Sequence, residues 1–312
     1  SQRTPPFPPP TLSKFPFQTP SMDQITSTQN PRIKQLTNLQ QKSGERRKSG
    51  KFTIEGQREV QRCLEAGYDI TALYICPEVM MQSAALGQTE WAQGLRERED
   101  VCSFCREKCP QAEIVVVGRT VYEKIACRGG TEGVVAVAKN RPHTLQELEQ
   151  RMERLRTQGT EPLIIVLEGV EKPGNLGAIL RTADATGATA VIVCDPLTDL
   201  CNPNLIRASL GAAFTVPCAT ANSHEAIAWL KEKGIAILTA QLQDSELYYN
   251  ADMTRATAIV MGTEATGLTA QWREAADAHI RIPMLGHCDS LNVSVSAAVL
   301  LYEGIRQRNI GQ

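Results

Sequence analysis

The second half of the chain carries continuous apolar runs separated by stretches of helical period. Four runs have the length of a buried strand: residues 163–167, 190–194, 236–239 and 258–261. The helical patterns between them are clearest at residues 178–186 and 225–233. A strand of a parallel sheet is typically an unbroken apolar run, because helices cover both faces of such a sheet. The alternation of strands and helices therefore predicts a parallel α/β sheet.

The stretch from residue 23 to 140 has shorter and less regular elements. A helix is predicted over residues 30–41, since Pro31 suits a first helical turn. A charged break at residues 44–50 and a second helix at residues 59–66 follow. Short strands are predicted at residues 52–54, 72–76, 114–117 and 133–138. This pattern predicts a smaller unit of mixed α/β structure.

Three further stretches interrupt or flank these units. Residues 82–109 are polar and poorly periodic, and we expect an insertion to which we assign no role. Residues 141–160 are predicted to be a polar helical linker. Residues 1–21 contain seven prolines, which favours a disordered added leader before a native start at Met22. A transit peptide is the alternative, although this proline density disfavours the amphipathic helix it needs.

The distribution of charge suggests a nucleic-acid partner in one segment only. The chain carries a net charge of −1, but residues 32–58 contain eight basic residues against two acidic ones. Such a segment can track RNA phosphates, and a solvated, mobile surface stretch is the alternative. The candidate RNA-binding side chains are Arg32, Lys34, Arg46, Arg47, Lys48 and Arg58.

Composition narrows the class and compartment further. No stretch approaches the roughly 18 uninterrupted apolar residues of a membrane span, and no secretory signal is visible. The ten cysteines are scattered and partly lie in apolar runs, which fits free thiols in a reducing cytoplasm. Three of them, Cys102, Cys105 and Cys109, are close in sequence, but their spacing is not a common zinc pattern. We therefore expect a cytoplasmic protein without a membrane partner, with no metal and with these thiols on a mobile loop.

The first polar motif spans residues 173–184 and follows the first apolar run. Gly174 and Gly177 let the backbone come close to a partner, and Arg181 lies about one turn beyond Gly177. A dinucleotide site is one interpretation, supported by Asp195 after the second run. The motif has a single G-x-x-G, however, whereas the dinucleotide fingerprint needs G-x-G-x-x-G. A tight strand–helix turn is the favoured account of this motif alone.

Two more polar motifs follow apolar runs. Glu264 lies between Gly262 and Gly267, directly after the last run, where the loops of parallel sheets bind ligands. It can hold a polar group there or cap a helix. Ser290 and Asn292 alternate with apolar residues before a long apolar helix. Such side chains and the N–H groups of a helix start suit a polar or anionic ligand, and N-capping is the simpler alternative.

Together these motifs resemble those of the SpoU/TrmH family of RNA methyltransferases, in the SPOUT superfamily. Their order is Asn175-x-Gly177-x-x-x-Arg181, Gly262-x-Glu264-x-x-Gly267 and Ser290-Leu-Asn-Val-Ser294. The resemblance covers about residues 160–308 and includes the segments 202–211 and 302–308. A looser resemblance to the family's RNA-binding accessory domain rests on residues 52–60 and 130–137.

The resemblance implies an α/β fold with a C-terminal, parallel-sheet SPOUT domain that contains a trefoil knot, and a smaller N-terminal mixed α/β RNA-binding domain. The implied division is an RNA substrate-binding domain at residues 22–140, the linker at 141–160 and the knotted methyltransferase domain at 161–312. It also implies a homodimer that uses S-adenosylmethionine to methylate a ribose 2′-hydroxyl of RNA. Ribosomal RNA is favoured over transfer RNA, and DNA, which lacks that hydroxyl, is excluded.

Site residues are carried over from the family by position. The catalytic group would be Arg181, Asn175, Glu264, Ser290 and Asn292. The cofactor would contact Leu238, Thr239, Ala240, Gly262, Ile282 and Leu291. Family mechanisms make the matching arginine a base or activator. Because a guanidinium ordinarily stays protonated, we expect Arg181 mainly to orient the 2′-hydroxyl and the neighbouring phosphate.

Two alternatives from other classes remain at the level of sequence. A nucleotide-dependent oxidoreductase is supported by the Gly174 loop and Asp195, but the full glycine fingerprint is missing. A non-catalytic RNA-binding or ribosome-assembly factor would keep the fold without needing the catalytic set.

Overall fold

The computed structural model describes residues 24–98, 100–127, 132–141, 143–263 and 266–309. The predicted leader at residues 1–21 lies outside them. The described chain contains two sheets, one in each half. None of the described helices is long and apolar enough to cross a membrane.

The N-terminal domain is built on a mixed sheet of four strands. The strands are β1 (Lys51–Glu55), β2 (Ile70–Ile75), β3 (Glu113–Val116) and β4 (Val134–Lys139). Their order is β1-β4-β2-β3, with β4 antiparallel to both neighbours and β3 parallel to β2. The prediction of a small mixed α/β unit is confirmed.

Seven helices of the described residues surround this sheet. They are α1 (Pro31–Gln41), α2 (Ser43–Ser49), α3 (Gln57–Glu65), α4 (Pro77–Leu86), α5 (Glu90–Arg96), α6 (Val101–Lys108) and α7 (Arg119–Ile125). Helix α1 begins as predicted, because the side chain of Asn30 accepts a hydrogen bond from the amide of Arg32 at 2.9 Å. The predicted break at residues 44–50 is wrong, since these residues form α2 and end at Gly50 with a positive φ of 64°.

The predicted polar insertion at residues 82–109 is also wrong. Helices α4 to α6 bury their apolar side chains in the main core of the N-terminal domain. Trp91 and Phe104 are each 1% exposed and pack edge to face, with ring centroids 5.4 Å apart. These helices therefore belong to the domain, and their short length concealed their periodicity.

The C-terminal domain is a seven-stranded parallel sheet. Its strands are β5 (Leu163–Glu168), β6 (Ala190–Cys194), β7 (Cys218–Ala221), β8 (Ala236–Ala240), β9 (Glu246–Leu247), β10 (Thr257–Met261) and β11 (Ala278–Arg281). The order is β7-β6-β5-β10-β8-β11-β9, and every recorded strand pair is parallel. The four apolar runs correctly predicted β5, β6, β8 and β10, whereas β7, β9 and β11 were not predicted. The trefoil knot stays a prediction.

Helices cover both faces of this sheet. They are α8 (Leu145–Thr157), α9 (Pro173–Thr186), α10 (Pro203–Ala208), α11 (Ala212–Thr215), α12 (Ser223–Glu232), α13 (Ala270–Ala275) and α14 (Val293–Arg308). One core contains side chains of α9 and α14, and the other contains those of α8, α12 and α13. Helix α8 falls in the predicted linker. Leu148 and Met152 are buried in the second core, so α8 packs on the C-terminal domain.

The two domains contact each other through α10 and α11. Phe52 of β1 stacks on Phe214 of α11, with centroids 6.0 Å apart, and Tyr68 packs on the same ring. Arg46 of α2 forms an ion pair with Asp199 at 2.8 Å. The junction is therefore apolar at its centre and carries a buried ion pair at its side.

Candidate active site

A cavity of about 420 Å³ opens at the carboxyl ends of β8, β10 and β11. Ligands of open α/β sheets bind at this edge, because the loops that follow the strands meet there. The volume lies in the range of roughly 300–1,000 Å³ that small-molecule sites occupy. The walls combine apolar and polar side chains: Ala240, Gln241, Leu242, Gln243, Met261, Gly262, Thr263, Thr266, Gly267, Leu268, Arg273, Ile280, Arg281, Ile282, Met284, Asp289, Ser290, Leu291, Val293, Ser296 and Leu300.

Four of the six residues proposed from the sequence as cofactor contacts line this cavity. They are Ala240, Gly262, Ile282 and Leu291. The other two, Leu238 and Thr239, lie inside β8 and are 1% and 0% exposed. The hydroxyl of Thr239 is 2.5 Å from Nδ1 of His279 on β11. We therefore correct the prediction for these two residues, which support the cavity from within the sheet.

The loop after β10 forms one wall of the cavity and closes on itself. The amide of Gly267 donates to the carbonyl of Thr263 at 3.0 Å, and the amide of Thr266 donates to the Thr263 hydroxyl at 3.0 Å. A Cβ at Gly262 would lie 2.4 Å from the carbonyl carbon of Gly267. Any larger residue at position 262 would therefore push the loop apart. Glu264, a predicted catalytic residue, lies outside the described residues.

The first and third sequence motifs meet at one edge of this site. The side-chain amide of Asn292 donates to Oδ1 of Asn175 at 3.2 Å, across 117 residues of sequence. Asn292 also begins α14, since its Oδ1 accepts from the amide of Ser294 at 3.0 Å. Ser290 is exposed and lines the cavity two residues earlier. The starts of α9 and α14 are therefore adjacent.

Arg181 is exposed on α9 and is not among the residues that line the cavity. It lies six residues after Asn175, or about 9 Å along the helix axis. Because this side chain is exposed, its guanidinium can contact a substrate bound at the surface beside the cavity. Gly177 was predicted to let the backbone come close to a partner, and in the structure that partner is α10. A Cβ there would lie 2.6 Å from both Ala208 Cβ and the Leu205 carbonyl oxygen, so this glycine allows α9 and α10 to pack closely.

Several cavity residues were not found from the sequence. Gln241, Met261 and Met284 line it, as does Asp289 just before the third motif. Gln241 directly follows β8, and this position after a buried strand is the sequence feature that could have identified it as a site residue. The backbone amide of Gln241 donates to the carbonyl of Ile280 at 3.0 Å, which extends the pairing of β8 with β11 to the cavity mouth. The pairing of β8 with β11 exists only in the folded sheet, so the sequence around Gln241 gave no sign of it.

The predicted RNA-binding side chains differ in exposure. Lys34, Arg47 and Lys48 are exposed. Arg32 is partly exposed and pairs with Glu113, and Arg58 is paired with Glu59 at 3.5 Å.

Arg46 does not fit the predicted role in RNA binding. Its side chain is 5% exposed, and its guanidinium donates to Asp199 and to the carbonyls of Leu39 and Gln40. Those partners leave this guanidinium no route to a phosphate, so we correct the prediction for Arg46.

The cysteine group predicted to lie on a mobile loop is part of α6 and the core. Cys102, Cys105 and Cys109 are at most 3% exposed. Burial raises the pKa of all three thiols, that of Cys109 to about 11. Among the residues that the structure describes, no three metal-binding side chains come together.

Asp195, the candidate ribose-binding acid of the oxidoreductase alternative, already has structural partners. Its Oδ2 accepts from the hydroxyl of Ser223 at 2.6 Å and from the Ser223 amide at 3.2 Å. Asp195 thus orients the start of α12 and lies outside the cavity lining.

Comparison with known proteins decides between the remaining alternatives. A model of the SpoU rRNA Methylase family matches residues 162–302, and a model of the MRM3-like substrate binding domain matches residues 30–136. The 23S rRNA (guanosine-2′-O-)-methyltransferase RlmB of Pseudomonas putida is 38% identical over 184 residues, which are 58% of this chain and 73% of the relative. The chain belongs to the SpoU rRNA methylase family.

Two solved structures agree with that family over both domains. An RNA 2′-O ribose methyltransferase is 36% identical, with a TM-score of 0.72 over 91% of this chain and 99% of the other. The AdoMet-bound rRNA methyltransferase of Sinorhizobium meliloti is 27% identical, with a TM-score of 0.74 over 91% of this chain and 97% of the other. The predicted fold class, a parallel-sheet C-terminal domain with a smaller mixed α/β domain, is confirmed apart from its knot, and the family is one of methyltransferases rather than oxidoreductases.

The cavity suits S-adenosylmethionine, the cofactor of this family. Its walls are apolar at Met261, Leu268 and Ile280, which fits an adenine ring and a methylene chain. Polar groups at Gln241 and Asp289 can meet the ribose and amino-acid parts. Such a mixture of apolar walls and few polar groups is what binds and orients a small polar ligand.

Proposed function

We propose that this protein methylates the 2′-hydroxyl of a guanosine ribose in large-subunit ribosomal RNA, with S-adenosylmethionine as the methyl donor. The observation that carries the proposal is the meeting of three distant motifs at one site. Gly262 of the second motif and Ser290 of the third line one cavity, and Asn292 of the third bonds Asn175 of the first. The RNA class and the guanosine are those of the 23S rRNA (guanosine-2′-O-)-methyltransferase of P. putida.

The chain's own groups can position the reacting oxygen. Bound S-adenosylmethionine supplies an electrophilic methyl group on a sulfonium. The adjacent starts of α9 and α14 place two positive helix ends together, which favours the phosphate beside the target ribose. Arg181 can hold that phosphate and orient the 2′-hydroxyl. Holding the reacting atoms in line accounts for several kcal/mol of the barrier.

The N-terminal domain would hold the RNA. Lys34, Arg47 and Lys48 are exposed on α1 and α2, within the basic segment of residues 32–58. Replacing all three with alanine should weaken RNA binding and reduce its salt dependence by about one unit of slope per lost phosphate contact. The affinity for S-adenosylmethionine should not change. Removing the whole domain would be a poorer test, because it would expose the apolar junction around Phe214.

A homodimer is part of the proposal and is supported by an apolar stripe on α14. Val295 and Tyr302 are 48% and 53% exposed, and Val299 lies between them on the same helical face. An exposed apolar stripe of this kind favours a protein interface. In light scattering we expect twice the chain mass of 34.2 kDa, and a single chain mass for Tyr302→Glu. Leu86→Glu, at a 90% exposed site on α4, is the matched control. A cytoplasmic location stays a prediction of the sequence.

The decisive experiment uses tritiated S-adenosylmethionine and ribosomal RNA from cells that lack this protein. After digestion to nucleosides, label should appear in 2′-O-methylguanosine. Label in a base would contradict ribose methylation. Cofactor binding without any label would instead favour the RNA-binding factor.

Arg181 can be tested in the same assay. Arg181→Ala should lose methyl transfer and keep cofactor binding, because Arg181 lies outside the cavity lining. Arg98→Ala, at an exposed ion pair of the N-terminal domain, is the control for loss of an arginine. Arg181→Lys keeps the charge but not the planar fork, so we expect partial activity with an unchanged pH optimum. Near-full activity with a lowered optimum would show that this side chain acts as the base.

A further inference from the structure

A buried polar cluster lies beside the cavity, at the end of β5. Its centre is Glu168, which is 6% exposed. One carboxylate oxygen accepts from the backbone amide of Thr269 at 2.9 Å, and the other accepts from the Thr269 hydroxyl at 2.7 Å. A single side chain on one central strand thus holds both polar groups of a residue 101 positions away.

The same cluster anchors α13 at a second point. The hydroxyl of Ser223 lies 3.1 Å from Glu168 Oε1 and 2.6 Å from Asp195 Oδ2. It also accepts from the indole N–H of Trp272 at 3.0 Å, and Trp272 is fully buried in α13. Glu168 and Ser223 therefore fix α13 at its first residues and one turn later.

This anchoring bears on the cavity because of where Thr269 lies. It is the first residue after the loop of residues 262–268, whose described residues all line the cavity. The other end of that loop also touches the exit of β5. Gly169 has a φ of +64°, and a Cβ on it would lie 3.1 Å from Cγ2 of Thr263. The end of β5 therefore contacts both ends of the loop.

We propose that Glu168 is a positioning residue for cofactor binding, which acts through Thr269 to hold residues 266–268 of the cavity wall in place. This proposal rests on the proposed function, since it takes the cavity to be the cofactor site. Two hydrogen bonds from one residue to Glu168 hold the end of the loop in place before the cofactor binds. Binding then does not have to order this part of the cavity wall, which lowers the cost of association.

The test compares variants that break this link with variants that keep it. Thr269→Val removes the hydroxyl donor at nearly constant shape, and Thr269→Ser restores it. Glu168→Leu removes every acceptor. Asp195→Asn is the matched control, because Asp195 contacts Ser223 but not Thr269, and asparagine tolerates the positive φ of 50° found there.

The measurements are the dissociation constant of S-adenosylmethionine by calorimetry and the KM values for cofactor and for RNA. We expect the dissociation constant to rise about fivefold for Thr269→Val and more than about tenfold for Glu168→Leu. Thr269→Ser and Asp195→Asn should stay within about twofold of the unsubstituted protein. The KM for the cofactor should rise in parallel, with the KM for RNA unchanged.

The outcomes separate this inference from the proposed function. If the unsubstituted protein binds no S-adenosylmethionine, the proposed function fails first. If it binds, but folded Thr269→Val binds equally well, the positioning role of Glu168 is overturned and the proposed function stands. Equal weakening by Asp195→Asn would also overturn it, because the cluster would then act through general stability. Should Glu168→Leu fail to fold, the comparison of Thr269→Val with Thr269→Ser decides.

Discussion

The buried ion pair between the domains allows a quantitative prediction. Arg46 is 5% exposed and Asp199 21% exposed. The guanidinium donates to both carboxylate oxygens, from Nη2 at 2.8 Å and from Nε at 3.2 Å. Its Nη1 donates to the carbonyls of Leu39 and Gln40 in the last turn of α1. Replacing Arg46 with methionine keeps the apolar stem of the side chain but removes all of these donors.

The size of the effect follows from the burial of the partner that remains. Removing one member of a buried pair costs about 3–5 kcal/mol, because the other charge is left without compensation. Water can still reach Asp199 in part, so we expect the lower end, about 3 kcal/mol for Arg46→Met. The exposed pair of Arg98 and Glu107, at 43% and 56% exposure, should contribute at most ~1 kcal/mol.

Urea unfolding followed by circular dichroism and tryptophan fluorescence measures both costs. Arg98→Met serves as the control, because it removes the same chemistry from a surface site. In the double-mutant cycle, Arg46→Met and Asp199→Asn together should show a coupling free energy above ~1 kcal/mol. If Arg46→Met destabilises the protein by less than ~1 kcal/mol, as the control does, the argument from burial is refuted.

Three further predictions concern packing, pH and thiol reactivity. Gly177→Ala should destabilise the protein by about 1–3 kcal/mol in urea unfolding, because its Cβ would overlap α10. Gly174→Ala should not destabilise the protein, because no atom lies within 4 Å of the Cβ it adds. Burial lowers the pKa of His143 below its ordinary 6.5, so the folded state resists protonation and stability should fall as the pH drops below about 6.5. His143→Gln should flatten the dependence of the melting temperature on pH below about 6.5. If the variant keeps the slope of the unsubstituted protein, His143 is not the group responsible. Of the ten cysteines, only the exposed Cys127 and Cys288 should react with a thiol reagent before unfolding, and Cys127 should react slowly because burial and the neighbouring Glu55 raise the pKa of its thiol. Reaction of Cys102 or Cys105 before unfolding would show that α6 opens.

Much of the architecture was predictable from local sequence. The unbroken apolar run at residues 163–167 predicted a buried strand of a parallel sheet, and these residues lie in β5, where every side chain is buried. Asn30 and Pro31 predicted the start of α1 to within a residue. Such features depend on the period of apolar side chains and on capping groups within a few residues, so they need no tertiary information.

The candidate site was predictable only in part. The motifs named Gly262, Ser290 and Leu291, which do line the cavity. They did not separate Ala240 at the mouth of the cavity from Thr239 inside the sheet, because the sequence does not show how far the neighbouring strands extend beside β8. Burial at a strand end depends on which other strand ends beside it, and that pairing is set by the whole sheet.

Tertiary structure alone decided the partners of the polar and special residues. The basic sequence around Arg46 predicted an RNA-binding side chain. In the structure, Arg46 forms an ion pair with Asp199, 153 residues away, and links the two domains. Gly177 was expected to let the backbone approach an unnamed partner, and only the fold shows that this partner is α10. Glu168 ended an apolar run without any sign that it would hold Thr269. The physical reason is the same in each case: a charge, a donor or a missing Cβ takes its role from what lies against it, and chain folding brings that neighbour from a distant part of the sequence.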